Sequence, residues 1–156
     1  MDERRRVVLR GAGATGALAA ALAAGLLKPK RALAATWDEN AFRAKTLAGA
    51  LKSIGADDAV VSKEVVLDVP EIAENGAVVP VEITSHVPGT TSIVVVIDKN
   101  PFPLNSKFDF MGGALPYVKL NVKMGQSSNI RVIAQAGGKQ YVAMREVKVT
   151  IGGCGG

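Results

Sequence analysis

The only cysteine in the chain, Cys154, has two glycines on each side, Gly152 and Gly153 before it and Gly155 and Gly156 after it. Glycine has no side chain to pack and loses the most backbone entropy when it is ordered, and an unanchored terminus stays mobile. A cysteine that serves packing is instead buried as a small hydrophobe. The tail therefore predicts a flexible arm that presents a thiol to solvent, and the thiolate is the nucleophilic form.

The other chemical groups of the chain do not form a recognisable active site. His86 is the only histidine, whereas a metal site needs three or four suitable ligands. A Cys–His catalytic pair would require His86 within hydrogen-bond reach of Cys154, and a mobile arm positions a thiol poorly for that. Glycine-rich phosphate loops, dinucleotide fingerprints and nucleophile elbows are absent from the sequence. We therefore expect neither a self-contained enzyme nor a bound cofactor or metal.

The flexible arm with its single thiol is best explained if the protein is a group carrier. Extended chain spans at most ~3.3–3.6 Å per residue, so Cys154 would project about 10 Å beyond a strand ending at Ile151 and enter a cleft in another protein. Catalysis would then be supplied by the enzyme that receives the arm. Prenylation requires a cysteine fourth from the end followed by aliphatic residues, a pattern that Cys154 does not match. An intermolecular disulfide in a non-catalytic assembly protein stays open as the alternative.

The N-terminal residues predict an export signal. Arg5 and Arg6 begin a twin-arginine pattern, an uncharged run follows over residues 11–27, and small residues precede a predicted cleavage after Ala34. A transmembrane anchor is the alternative, but the run is short and rich in Ala and Gly rather than Leu. We therefore predict a leader over 1–34, a carrier domain over 35–151 and an arm over 152–156, with a periplasmic mature protein that has no membrane attachment.

The charge distribution agrees with that division. The chain has a net charge of +5, and residues 1–34 contain seven Lys/Arg and two Asp/Glu, so the remainder holds twelve residues of each sign. The basic character thus belongs to the leader, and it does not indicate binding to nucleic acid or to an anionic membrane. With one cysteine, the exported domain has no internal disulfide.

An amphipathic helix is predicted at the start of the carrier domain. Thr36 and Glu39 are spaced as a capping box, apolar residues then recur at intervals of three and four, and Gly55 is a plausible end. The apolar stripe would pack either on its own domain or on a partner.

The rest of the domain reads as strand. Six β-branched runs end at Pro, Gly or Asn, which favours an immunoglobulin-like β-sandwich without a disulfide. The runs are Val60 to Val69, Ala77 to Val87, Ser92 to Asp98, Pro116 to Met124, Asn129 to Ala136 and Lys139 to Ile151. Gly137-Gly138 predicts a hairpin, and a change of phase near Arg145-Glu146 predicts a bulge.

One connection, Lys99 to Ala114, is predicted to be a long loop. It contains three of the four phenylalanines, Phe102, Phe108 and Phe110. Loops of this length are commonly functional or disordered, and exposed aromatic residues mark interaction surfaces. The alternative is that these rings close one end of the sandwich.

Taken together, the twin-arginine leader, the small sandwich and the Gly-Gly-Cys-Gly-Gly tail resemble the SoxY family, the sulfur-carrier subunits of the bacterial thiosulfate-oxidising Sox system. The strand Val147 to Ile151 and the segment Asn100-Pro101-Phe102-Pro103 are also similar to that family. Arg4 departs from the pattern, because Ser or Thr often precedes the twin arginines.

The resemblance implies that Cys154 carries thiosulfate-derived adducts. A c-type cytochrome complex would join thiosulfate to the thiol, a dimanganese hydrolase would release sulfate, and a sulfur dehydrogenase, where present, would oxidise the remaining sulfur. It also implies a heterodimer with a SoxZ-like subunit. Haem and manganese would belong to those partners.

Overall fold

The computed structural model describes residues 38–150, which lie within one compact unit spanning Thr36–Gly156. In this range the protein is mainly β, with two short helices and nine strands. The helices are α1 (Glu39–Arg43) and α2 (Leu47–Ser53). The strands are β1 (Val60–Val61), β2 (Val65–Asp68), β3 (Ile72–Ala73), β4 (Val79–Ser85), β5 (Thr90–Ile97), β6 (Leu104–Asp109), β7 (Tyr117–Val122), β8 (Ser128–Ala136) and β9 (Lys139–Val149).

These strands form two sheets, and the predicted mainly β architecture is confirmed. The larger sheet has the order β1-β9-β8-β5-β6, with β3 also paired to β9, and the smaller sheet has the order β2-β4-β7. Apolar residues alternate inward from both sheets and build a shared core. On β7 and just beyond it, Val118, Val122 and Met124 are buried whereas Lys119 and Asn121 are exposed, as the sequence predicts.

The segment predicted as a single helix forms two helices, so that prediction is wrong in this respect. Each helix has its own N-cap: the Asp38 carboxylate accepts from the Ala41 amide (3.1 Å), and the Thr46 hydroxyl accepts from the Gly49 amide (3.1 Å). Ala44 between them is extended, with φ −61° and ψ 126°. The predicted capping box of Thr36 and Glu39 is wrong, because Asp38 is the N-cap of α1 and Glu39 is its first residue. Thr36 itself lies outside the described residues. Neither helix in 38–150 is long and apolar enough to cross a membrane.

Both helices pack on their own domain. Ala41 and Ala50 are buried against the outer face of the larger sheet. The side chains beneath them come from β5, β6 and β8 and include Val94, Val96, Leu104 and Ile133. This second cluster explains why β5 is apolar on both of its faces.

The predicted bulge in β9 is wrong. The register between β8 and β9 runs without a shift from Ser128↔Val147 to Ala136↔Lys139. Tyr141, Ala143 and Val147 contact the core between the sheets, whereas Val142 packs beneath the helices. The change of phase in the sequence therefore reflects a strand with apolar contacts on both faces. The hairpin prediction is confirmed, since Gly137 and Gly138 join β8 to β9 with φ of 56° and 75°.

The predicted loop Lys99 to Ala114 is also wrong, because β6 lies within it and pairs with β5. Phe108 and Phe110 are partly buried and pack against the core, so these two rings are core contacts rather than fully exposed aromatic residues. Phe102 is half exposed and lies just before β6.

Candidate functional site

The residues predicted to carry the chemistry lie outside the described range. Cys154, its neighbours Gly152, Gly153, Gly155 and Gly156, and the leader residues Arg5 and Arg6 all fall in this category. The structure describes the chain as far as Thr150, one residue after β9. The candidate site is therefore the end of the sandwich from which the chain continues to Cys154.

At this end of the sandwich, a short parallel strand holds the last residues of β9. β3 pairs with β9 in the register Ile72↔Lys148 and Ala73↔Val149. The Lys148 amide donates to the Glu71 carbonyl (2.9 Å), and the Thr150 amide donates to the Ala73 carbonyl (3.1 Å). The Thr150 hydroxyl also donates to a carbonyl of this segment, that of Glu74, at 3.4 Å. Thr150 is thus bonded by both its backbone and its side chain.

Two further residues contact Val149. The Ser127 hydroxyl oxygen accepts from the Val149 amide (2.9 Å) and lies 3.4 Å from the Val149 carbonyl, to which it donates. Gly76 is buried, and a Cβ placed there would lie 2.7 Å from Cγ1 of Val149 and 2.5 Å from the carbonyl oxygen of Met124. Only glycine fits between these two groups, because real Cβ atoms are not found that close to other atoms.

The same end of the sandwich contains a bidentate ion pair. The Asp98 carboxylate, just beyond β5, accepts from Nε of Arg131 (2.6 Å) and from its Nη2 (2.9 Å), and it also accepts from Nδ2 of Asn129 (3.2 Å). The Arg131 and Asp98 side chains are 27% and 11% exposed. Two parallel charge-assisted bonds fix this pair more firmly than a single surface contact.

An open cleft of about 410 Å³ lies on the outer face of the smaller sheet. Glu82 and Lys119 face each other there at 2.9 Å, and this hydrogen bond lowers the pKa of Glu82 and raises the pKa of Lys119. A hydrogen bond to Glu82 likewise raises the pKa of Tyr117. Asp68 also lines the cleft, so two carboxylates face one ammonium and the cleft disfavours anionic ligands.

His86 lies at the opposite end of the sandwich from Thr150. It follows β4 and is exposed. The hydroxyl of the preceding residue, Ser85, lies 2.7 Å from the hydroxyl of Thr90. Thr90 in turn pairs with Ala136, which is next to the β8–β9 hairpin. Within residues 38–150, no group of three or more His, Cys, Asp or Glu residues is arranged to hold a metal ion.

Comparison with known proteins identifies the family. The family model described as "Sulfur oxidation protein SoxY" matches residues 51–154, which include the core of the sandwich, the end of β9 and Cys154. The chain belongs to the SoxY family.

A solved member of that family is similar over most of its length. The SoxY sulfur carrier protein from Chlorobium limicola f thiosulfatophilum is 39% identical, and the match covers 68% of this chain and 97% of that chain with a TM-score of 0.61. A comparison with curated protein sequences gives no significant match. Membership of the SoxY family supports a carrier role in sulfur oxidation.

Two other solved structures share the fold alone. They are variants of superoxide reductase (neelaredoxin) from Ignicoccus hospitalis, both 17% identical with a TM-score of 0.50. The matches cover 64% and 62% of this chain, and 87% and 86% of those chains.

The sequence predicts Cys154 as the reactive residue of this SoxY family member but does not predict the residues that hold the preceding strand. Ala73, Gly76 and Ser127 were missed, and β3 was not predicted. Asn75-Gly76 is a turn signal, but it does not reveal that the turn packs on Val149. That contact joins residues 73 positions apart in the chain.

Proposed function

We propose that Cys154 is the attachment site for sulfur intermediates in periplasmic thiosulfate oxidation, and that partner enzymes act on the adduct. Three observations support the proposal. The chain belongs to a family of sulfur oxidation proteins, the match includes Cys154, and a relative with 39% identity is described as a sulfur carrier protein. Cys154 is also the only cysteine of the chain.

The proposed chemistry is a cycle of bonds made and broken at one sulfur atom. In loading, a bond would form between Cys154 Sγ and the outer sulfur of thiosulfate, the thiol proton would pass to solvent, and a haem-containing c-type cytochrome complex would accept the two electrons one at a time. In the next step, catalysed by a dimanganese hydrolase, water would attack the sulfonate sulfur, sulfate would leave with release of a proton, and a persulfide would stay on Cys154. A sulfur dehydrogenase, where present, would oxidise that remaining sulfur.

The described end of β9 agrees with this role. From Thr150, four residues of extended chain reach at most ~13–14 Å, so an enzyme that acts on Cys154 must approach this end of the sandwich. Four of the last five residues are glycine, which adds no side-chain bulk to the segment that enters a cleft. Activation of the thiol belongs, in this proposal, to the receiving enzyme.

The proposal includes a SoxZ-like subunit as a stable partner and export by the twin-arginine route. Arg5 and Arg6 would direct export, with cleavage after Ala34. N-terminal sequencing of the protein from a periplasmic fraction tests this part, and a mature chain that retains the twin arginines would contradict it.

The central experiment compares the unsubstituted protein with Cys154→Ser. After incubation with thiosulfate and the oxidising cytochrome, we expect the unsubstituted protein to gain the mass of one thiosulfonate adduct on the C-terminal peptide and the variant to gain none. The variant should fold as before, because serine is close to cysteine in size. An adduct on another residue would refute the assignment. A stoichiometric Cys154 cross-link on non-reducing gels, persisting in the active state, would instead support the assembly alternative.

A further inference from the structure

The described residues around the end of β9 form hydrogen bonds to the last residues of that strand. The segment 71–76 and Ser127 together make all the hydrogen bonds that the amides of Lys148, Val149 and Thr150 donate in this structure. We name this set the arm clamp. β3 within it has two residues, one of them exposed, so it adds little apolar burial of its own.

We propose that the arm clamp is a positioning device for Cys154, which fixes the point and direction from which the chain leaves the domain. This inference rests on the proposed carrier function and adds residues to it. Val147 is the last fully buried residue of β9. Without the clamp, burial of Val147 would therefore be the last contact that fixes the chain to the domain. With the clamp, the fixed part of the chain extends to Thr150.

The difference of three residues has a calculable effect. Cys154 lies four positions after Thr150 and seven positions after Val147. Maximum reach would grow from ~14 to ~25 Å when the clamp opens. Because the effective concentration of a tethered group falls roughly as the −3/2 power of tether length, delivery to a cleft that suits the shorter tether should fall about two- to threefold.

Gly76 offers a steric route to opening the clamp. In Gly76→Ala the new methyl group would meet Val149 and the Met124 carbonyl, and one of the two must move. The matched control is Gly125→Ala, because a Cβ at Gly125 meets nothing within 4 Å and its backbone does not have a positive φ. Both variants add one methyl group to the same end of the sandwich.

Ser127 offers a second route that adds no bulk. Ser127→Ala removes both contacts to Val149 while leaving the backbone of the clamp intact. The matched control is Ser62→Ala. The Ser62 hydroxyl accepts from the Glu64 amide at 3.2 Å, and its backbone amide donates to Val142 near the other end of β9. This pair keeps the test valid if Gly76→Ala folds poorly.

The test measures two quantities for each variant. Hydrogen exchange of the amides at 148–150 reports whether the clamp holds the strand, and the rate of adduct formation with thiosulfate and the oxidising cytochrome reports delivery. We expect faster exchange and two- to threefold slower loading in Gly76→Ala and Ser127→Ala, with neither change in the two controls. The reaction of Cys154 with a small soluble disulfide should stay at the parental rate, because that reagent needs no docking.

The possible failures are distinguishable. Loading at the parental rate in both clamp variants, despite faster exchange, would overturn the positioning role. Unchanged exchange at 148–150 in both would show that the clamp does not hold the strand. If the unsubstituted protein itself forms no adduct, the carrier function is wrong, and the positioning role falls with it.

Discussion

The alternation of buried and exposed side chains along β9 predicts how much the free energy of unfolding should change on substitution. Val147 is completely buried between the sheets, whereas Met144, on the same strand, is 52% exposed. Val147→Ala removes two buried methyl groups, worth about 0.8 kcal/mol each, and leaves a small cavity that adds to the cost. We expect the free energy of unfolding to fall by about 2–3 kcal/mol.

Urea denaturation followed by circular dichroism measures this loss. With a typical slope of ~2 kcal/mol per molar urea, the midpoint of unfolding should fall by about 1–1.5 M while the slope stays constant. Met144→Ala is the matched control on the same strand, and we expect it to cost less than about 1 kcal/mol. Equal losses in the two variants would refute the regular register, because a bulge near Arg145 would turn both side chains toward the core.

Two other predictions concern charged groups. Asp98→Asn leaves Arg131 without its bidentate partner. The free energy of unfolding should fall by about 1.5–3 kcal/mol, which is the usual range for hydrogen bonds to charged groups. A loss below about 0.5 kcal/mol in urea denaturation would contradict this interpretation. The lowered pKa of Glu82 means that its contact with Lys119 stabilises the fold at neutral pH, and that this contribution disappears as the pH falls through the lowered pKa. Urea midpoints should therefore decline more steeply in acid for the unsubstituted protein than for Glu82→Gln, and parallel declines would show that the contact contributes nothing.

The parts of the fold that the sequence predicted correctly are those with a strong local signal. β7 alternates apolar and polar residues because one face of the strand is buried and the other is exposed to solvent. The β8–β9 hairpin has glycine at both turn positions. These features depend on single residues and their neighbours in the sequence, so they can be predicted without the structure.

The missed elements depend on contacts between distant parts of the chain. β6 is an edge strand with one partner, so its sequence is polar enough to resemble a loop. β3 is too short to show periodicity and exists because β9 is beside it. The apolar stripe continues across Thr46, but Ala44 and Thr46 are extended, and the Thr46 hydroxyl accepts from the Gly49 amide at the start of a second helix.

For the candidate site, the composition of the tail predicts Cys154 as the reactive group, since glycine and a lone thiol have meaning independent of fold. Cys154 lies outside the described residues, so its role stays a prediction. The arm clamp was not predictable, because Gly76 and Ser127 are ordinary turn residues until the structure brings them to Val149.

The two short parallel strands on β9 also affect how the protein behaves in a crowded solution. β1 covers the outer edge of β9 at Tyr141 and Val142, and β3 covers it at Lys148 and Val149. Within β9, residues 139–140 and 143–147 are the stretches of that edge without a strand partner. Exposed strand edges recruit other chains into aggregates, and very short uncovered stretches are one way in which proteins prevent this. β3, which belongs to the proposed arm clamp, thus also covers part of an edge with which other chains could pair.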